Sequence, residues 1–124
     1  MHRKEGLNRE QRLAKFIIHW NNKEIDELTE FLSPTVELRS TNVFRIFPDS
    51  KGVISGREKI LEYFKIVLNK IPNFIIIFET IKKLDDSIII NSRTQDGLFS
   101  FHVQYYFDTH DKIYSIKSDL AEKF

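Results

Sequence analysis

The sequence predicts a two-layer α+β domain, with three amphipathic helices packed on one face of a mainly antiparallel sheet. Two observations carry this. From Gly97 to Phe107 the residues alternate, with Phe99, Phe101, Val103, Tyr105 and Phe107 on one face and Leu98, Ser100, His102, Gln104 and Tyr106 on the other. Period-two alternation marks a strand with unequal faces. Upstream, apolar residues recur at helical spacing in three segments. An apolar sheet face and three apolar helix stripes bury one another.

In chain order, the first helix runs from about Asn8 to Trp20, with Leu13, Phe16, Ile17 and Trp20 on one stripe. Asn21 with Glu24 has capping-box spacing and opens a second helix, whose buried face is Ile25, Leu28, Phe31 and Leu32. Ser33-Pro34 stops it, and Thr35 to Arg39 alternates as a short strand. Ser40 to Ile54 holds turn residues beside Val43, Phe44, Ile46 and Phe47, too apolar for a solvated loop. It reads as a flap that covers something. Ser55 and Glu58 form another capping box, opening a third helix with Ile60, Leu61, Phe64, Val67, Leu68 and Ile71 on its face and Pro72 at its end.

Four long strands close the chain. Phe74 to Leu84 and Ser87 to Gln95 join through Asp85-Asp86, and Asp96-Gly97 is a two-residue hairpin signal. That turn sets Ser92 opposite Phe101, Ile90 opposite Val103 and Ile88 opposite Tyr105. A last hairpin through residues 108–111 is expected to pair Tyr105 with Tyr114, Val103 with Ile116 and Phe101 with Ser118. Both apolar sets then share a face.

The 124 residues make one domain, residues 1–124, with a core of about residues 8–121 and no repeats or linker. Hydrophobic residues are 41% and include eleven Phe, which argues against disorder. A net charge of +1 gives no reason to expect nucleic acid or a charged membrane as partner. The absence of cysteine excludes disulfides, thiolate catalysis and Cys-based metal sites. His2, His19, His102 and His110 have no ligand-type spacing, so no metal and no cofactor is expected. Lys15 and His19 interrupt the one candidate apolar run, so the expectation is a soluble cytoplasmic protein.

Two stretches carry a family resemblance. Trp20-Asn21-Asn22-Lys23-Glu24-Ile25-Asp26-Glu27-Leu28 resembles the helix–helix corner of the nuclear-transport-factor-2-like superfamily, in particular its SnoaL-like branch. Ser55-Gly56-Arg57-Glu58-Lys59-Ile60-Leu61-Glu62-Tyr63-Phe64 resembles that family's Gly-led third helix, and four closing strands follow in the family's order. The resemblance implies a cystatin-like, cone-shaped domain whose curved sheet wraps around the helices, a pocket in the cone, and homodimers through the outer sheet face. It also brings in enzymes such as ketosteroid isomerases, polyketide cyclases and dehydratases. The isomerases' base would fall at Leu38, their buried acid at about Val103 and their helix tyrosine at about Phe16. All three are apolar in this chain, and that mechanism needs a base and two donors to the enolate oxygen.

From the residues, an apolar cavity is expected between Trp20, Phe64, Phe101, Val103, Tyr105, Ile116 and Ser118, closed by Phe44 and Phe47 of the flap. Tyr105 and Tyr114 face each other in the expected register, either as two phenols orienting a carbonyl or as core aromatics. Glu79 is the one long-strand carboxylate with a route inward. It points inward if Asp85-Asp86 is a two-residue turn, and Phe78 and Thr80 do so if the turn takes three. An outward, solvated Glu79 is preferred. Asp49 is a second candidate carboxylate, in the flap. The expected function is binding of a small hydrophobic molecule. The rivals are an isomerase, cyclase or dehydratase acting on a cyclic or polyketide-like substrate through Glu79 or Asp49, and a pocketless dimeric interaction module. The outer strand face, with Leu98, His102, Gln104 and Tyr106 among its residues, suits a second copy.

Overall fold

The computed structural model describes residues 7–40, 43 and 47–122, with side chains as far as Asp119. Helix α1 is Arg9–Asn21. Asn8 caps it: its side chain accepts from the Gln11 N–H at 2.8 Å, and the Gln11 side chain accepts from the Asn8 N–H at 3.0 Å. The buried residues are Leu13, Phe16, Ile17 and Trp20, the stripe expected from spacing.

The second helix differs from expectation. Ile25–Phe31 is a 3-10 helix with no side-chain cap. Neither member of the expected capping box is free to form one. Glu24 pairs with His19 Nδ1 at 3.0 Å, and Asn21 is committed to Ile76 of the sheet. Strand β1 (Leu32–Ser40) follows at once and takes in Ser33-Pro34, so it is longer than the expected Thr35–Arg39. A strand that the sequence reading missed, β2 (Val53–Ser55), lies antiparallel to β1. Helix α2 (Arg57–Lys70) starts from Gly56 without a side-chain cap, so the Ser55/Glu58 box is not formed either. Gly56 sits at φ +99, a backbone state that a side chain makes costly. The α2 core residues are Ile60, Tyr63, Phe64, Val67 and Leu68.

Strands β3 (Ile76–Lys83), β4 (Ser87–Thr94), β5 (Phe99–Phe107) and β6 (Ile113–Glu122) complete one six-stranded sheet of order β2-β1-β6-β5-β4-β3. Among the described residues, only the β1–β6 pair is parallel. Among the described residues, two α-helices, the 3-10 helices Ile25–Phe31 and Pro48–Ser50, and a mostly antiparallel sheet make an α+β domain. One cluster of buried residues draws on both α-helices, the 3-10 helix Ile25–Phe31 and strands β1, β2, β4, β5 and β6. Fully buried Leu28 and Ile60 illustrate what holds it, each worth roughly 1.5–3 kcal/mol relative to exposure. Among the described residues no helix is long and apolar enough to cross a membrane.

The β4–β5 register is as expected: Ile88 faces Tyr105, Ile90 faces Val103 and Ser92 faces Phe101. The β5–β6 register is not. Tyr105 pairs with Ile116, Val103 with Ser118 and Phe101 with Leu120. The hairpin loop explains half of the shift. Asp108 accepts the His110 and Lys112 amides at 2.8 and 3.0 Å, and Asp111 takes φ +59, so the loop is one residue shorter than the four expected. A bulge between Tyr106 and Phe107 supplies the other half and restores the alternation of faces. Its extra residue is Tyr114, which turns outward while Ile113 becomes buried. The expected Tyr105–Tyr114 pairing is overturned; Tyr114 instead lies with its ring 6.1 Å from that of Tyr106.

Candidate functional site

Between α1, α2 and the sheet lies a cavity of about 230 Å³. Its wall combines Phe16, Ile17 and Trp20 of α1, Tyr63, Phe64 and Val67 of α2, Ile71, Phe74 and Ile76 at the approach to β3, and Leu38, Ser40, Phe99, Phe101, Val103, Tyr105, Ile116 and Ser118 of the sheet. Helical spacing brings the α1 and α2 residues to it, and strand alternation brings the β5 and β6 residues. The structure thus places Trp20, Phe64, Phe101, Val103, Tyr105, Ile116 and Ser118 around one space.

Phe74 touches both Trp20 and Phe101. The Phe74 ring stacks on Phe101 at 5.0 Å and meets Trp20 nearly edge-on at 5.2 Å. The Trp20 indole N–H donates to the Phe74 carbonyl at 3.1 Å, which fixes the start of this segment to α1. Phe74 was missed as a wall residue because it reads as the first residue of a strand. Tyr63 was also missed, although it lies three residues after Ile60 and four before Val67, squarely on the α2 stripe.

Other candidates lie elsewhere. Phe47 is partly buried with its ring 6.3 Å from Tyr63, but it lines a separate groove beside β2, together with Asp49 and Lys59. Phe44 lies outside the described residues. Tyr114 is on the outer side. Glu79 is turned out by a bulge. The Asp85-Asp86 turn has two residues, closed by the Leu84 N–H donating to the Ser87 carbonyl. Between Phe78 and Thr80 the register then shifts, so that Phe78 faces Ser92 and Glu79 is the extra residue. Its carboxylate lies 3.6 Å from Arg93 Nε, with both side chains well exposed.

Among the described residues, none in the cavity wall carries a formal charge. Phe16, Leu38 and Val103, where the ketosteroid isomerase pattern would put its helix tyrosine, base and buried acid, are all in the wall and all apolar. Hydroxyls come from Ser40, Tyr63, Tyr105 and Ser118. Tyr105 is 6% exposed, and burial pushes its phenol above the usual value. The wall can therefore enclose apolar matter and offer neutral hydrogen-bonding groups. Among the described residues no group of His, Asp or Glu has the arrangement to hold a metal ion.

No model of a known protein family matches the sequence, and no curated protein matches it. Solved structures do. A SnoaL-like protein of unknown function from Burkholderia thailandensis superposes with a TM-score of 0.82 at 19% identity, over 91% of this chain and 93% of that one. A nuclear-transport-factor-2-like protein of unknown function from Cytophaga hutchinsonii gives 0.74 at 10% identity, over 96% and 95%. A proposed ketosteroid isomerase from Kribbella flavida gives 0.70 at 13% identity, over 94% and 79%. At such identities the likeness speaks for the fold, which many unrelated activities share. The chain has the fold of the SnoaL-like branch of the nuclear-transport-factor-2-like proteins.

Proposed function

We propose that this protein binds a small, neutral, apolar molecule in the cavity between α1, α2 and the sheet. The observation that carries the proposal is a wall whose described residues are aromatic and aliphatic side chains with a few hydroxyls and no charge, the usual make-up of a small-molecule site. The volume of about 230 Å³ suits one or two rings, since an apolar cavity of about 150 Å³ takes benzene. An enzyme working through Glu79 or Asp49 finds no support in the geometry, because neither carboxylate is part of this wall. The molecule acts as a homodimer, a reading supported by the outer sheet face, where Tyr106, Tyr114 and Lys117 form an aromatic and cationic cluster.

Indane is a suitable probe. Saturable binding should quench Trp20 fluorescence and raise the melting temperature by mass action. Val103→Trp fills the space and should abolish both effects, at a folding cost of about 1–3 kcal/mol from overpacking. Unchanged binding to a folded Val103→Trp variant would place the ligand elsewhere.

A further inference from the structure

Among the hydroxyls of the cavity, Tyr105 stands apart. Ser40 and Tyr63 already have partners. Ser118 is only half-buried, so water competes for it. Tyr105 is deeply buried, with Ile88 and Ile116 as its strand neighbours and the Phe16 ring 6.1 Å away, nearly edge-on. No hydrogen bond joins its hydroxyl to any other described residue, yet no described side-chain polar atom is sealed from solvent-sized space without a partner. The phenol oxygen therefore opens onto the cavity that its ring helps to line. A buried donor left unmatched costs stability, so this one is matched when something with an acceptor fills the space.

We propose that Tyr105 is the polar anchor of the cavity, donating its O–H to a neutral acceptor such as the carbonyl oxygen of a cyclic ketone or ester. The inference rests on the ligand-binding reading and adds the ligand's chemical class. An anionic ligand is disfavoured, because the described residues of the wall offer no cation to pair with a buried charge. The phenol, held neutral by burial, stays a donor through the physiological pH range. One donor fixes one end of the ligand and leaves the rest to apolar contact with rings such as Trp20, Phe74 and Phe101.

The test compares 1-indanone with indane, which differ by the carbonyl, on wild type and Tyr105→Phe. The substitution removes no hydrogen bond within the described protein, so the variant should fold as wild type does, which circular dichroism checks. The expected result is that the preference for indanone over indane drops by about tenfold in Tyr105→Phe, while indane affinity changes little. A preference that survives the substitution overturns the anchor and leaves the cavity reading in place. Failure of both molecules to bind wild type overturns the cavity reading, and the anchor with it.

Discussion

Asn21 grips Ile76 as a neighbouring strand would: its Nδ2 donates to the Ile76 carbonyl at 3.1 Å, and its Oδ1 accepts the Ile76 N–H at 2.8 Å. The last residue of α1 thereby fixes the first residue of edge strand β3, directly beside the cavity wall. Asn21→Ala should cost about 1–3 kcal/mol, the range for partly buried backbone groups left unpaired. Urea denaturation measures it. A loss below a few tenths would mean that water replaces the clamp without penalty.

Asp96 holds the β4–β5 turn. Its Oδ1 accepts from Thr94 Oγ1 at 2.6 Å and from the Leu98 N–H at 3.0 Å. The hydrogen bonds from Thr94, and then from Leu98, lower its pKa. A lowered folded-state pKa gives stability that is present above the unfolded carboxylate value of about 3.9 and lost as pH falls through the folded value. The melting-temperature advantage of wild type over Asp96→Asn should therefore be present near neutral pH and shrink as pH drops below ~4. A difference that does not vary with pH would contradict this.

Glu79 and Arg93 are both exposed and 3.6 Å apart. Glu79→Gln should change stability by less than about 1 kcal/mol and leave indane affinity unchanged. A large loss of affinity would return Glu79 to the site.

The proposed dimer contact is the outer face of β5 and β6. Lys117 Nζ stands 5.1 Å from the centre of the Tyr106 ring, and Tyr114 packs beside it. Tyr106→Glu should shift a dimer to monomer in sedimentation at micromolar concentration. A wild-type protein that stays monomeric across the concentration range ends this reading.

Strand alternation and helical spacing were legible because both depend on the apolar pattern alone. They point Trp20, Phe64, Phe101 and Val103 toward one space, and the structure has all four in its wall. Bulges were not legible. Whether Glu79 or Phe78 faces Ser92, and whether Tyr114 or Ile113 is buried, depends on single inserted residues, to which a period-two pattern is blind. Caps were misread for a related reason. Asn21 and Glu24 have the right spacing, but tertiary partners, Ile76 and His19, outcompete the local helix end. Phe74 escaped notice because its role comes from a loop that stacks it on Phe101, not from any periodicity.

The most direct test of the cavity claim is a crystal structure of the protein soaked with bromobenzene, since dry apolar cavities take up such rings. The account predicts bromine anomalous density inside the space bounded by Trp20, Phe101, Val103 and Tyr105. Density only on the outer sheet face or at crystal contacts, with that space unfilled, would contradict it.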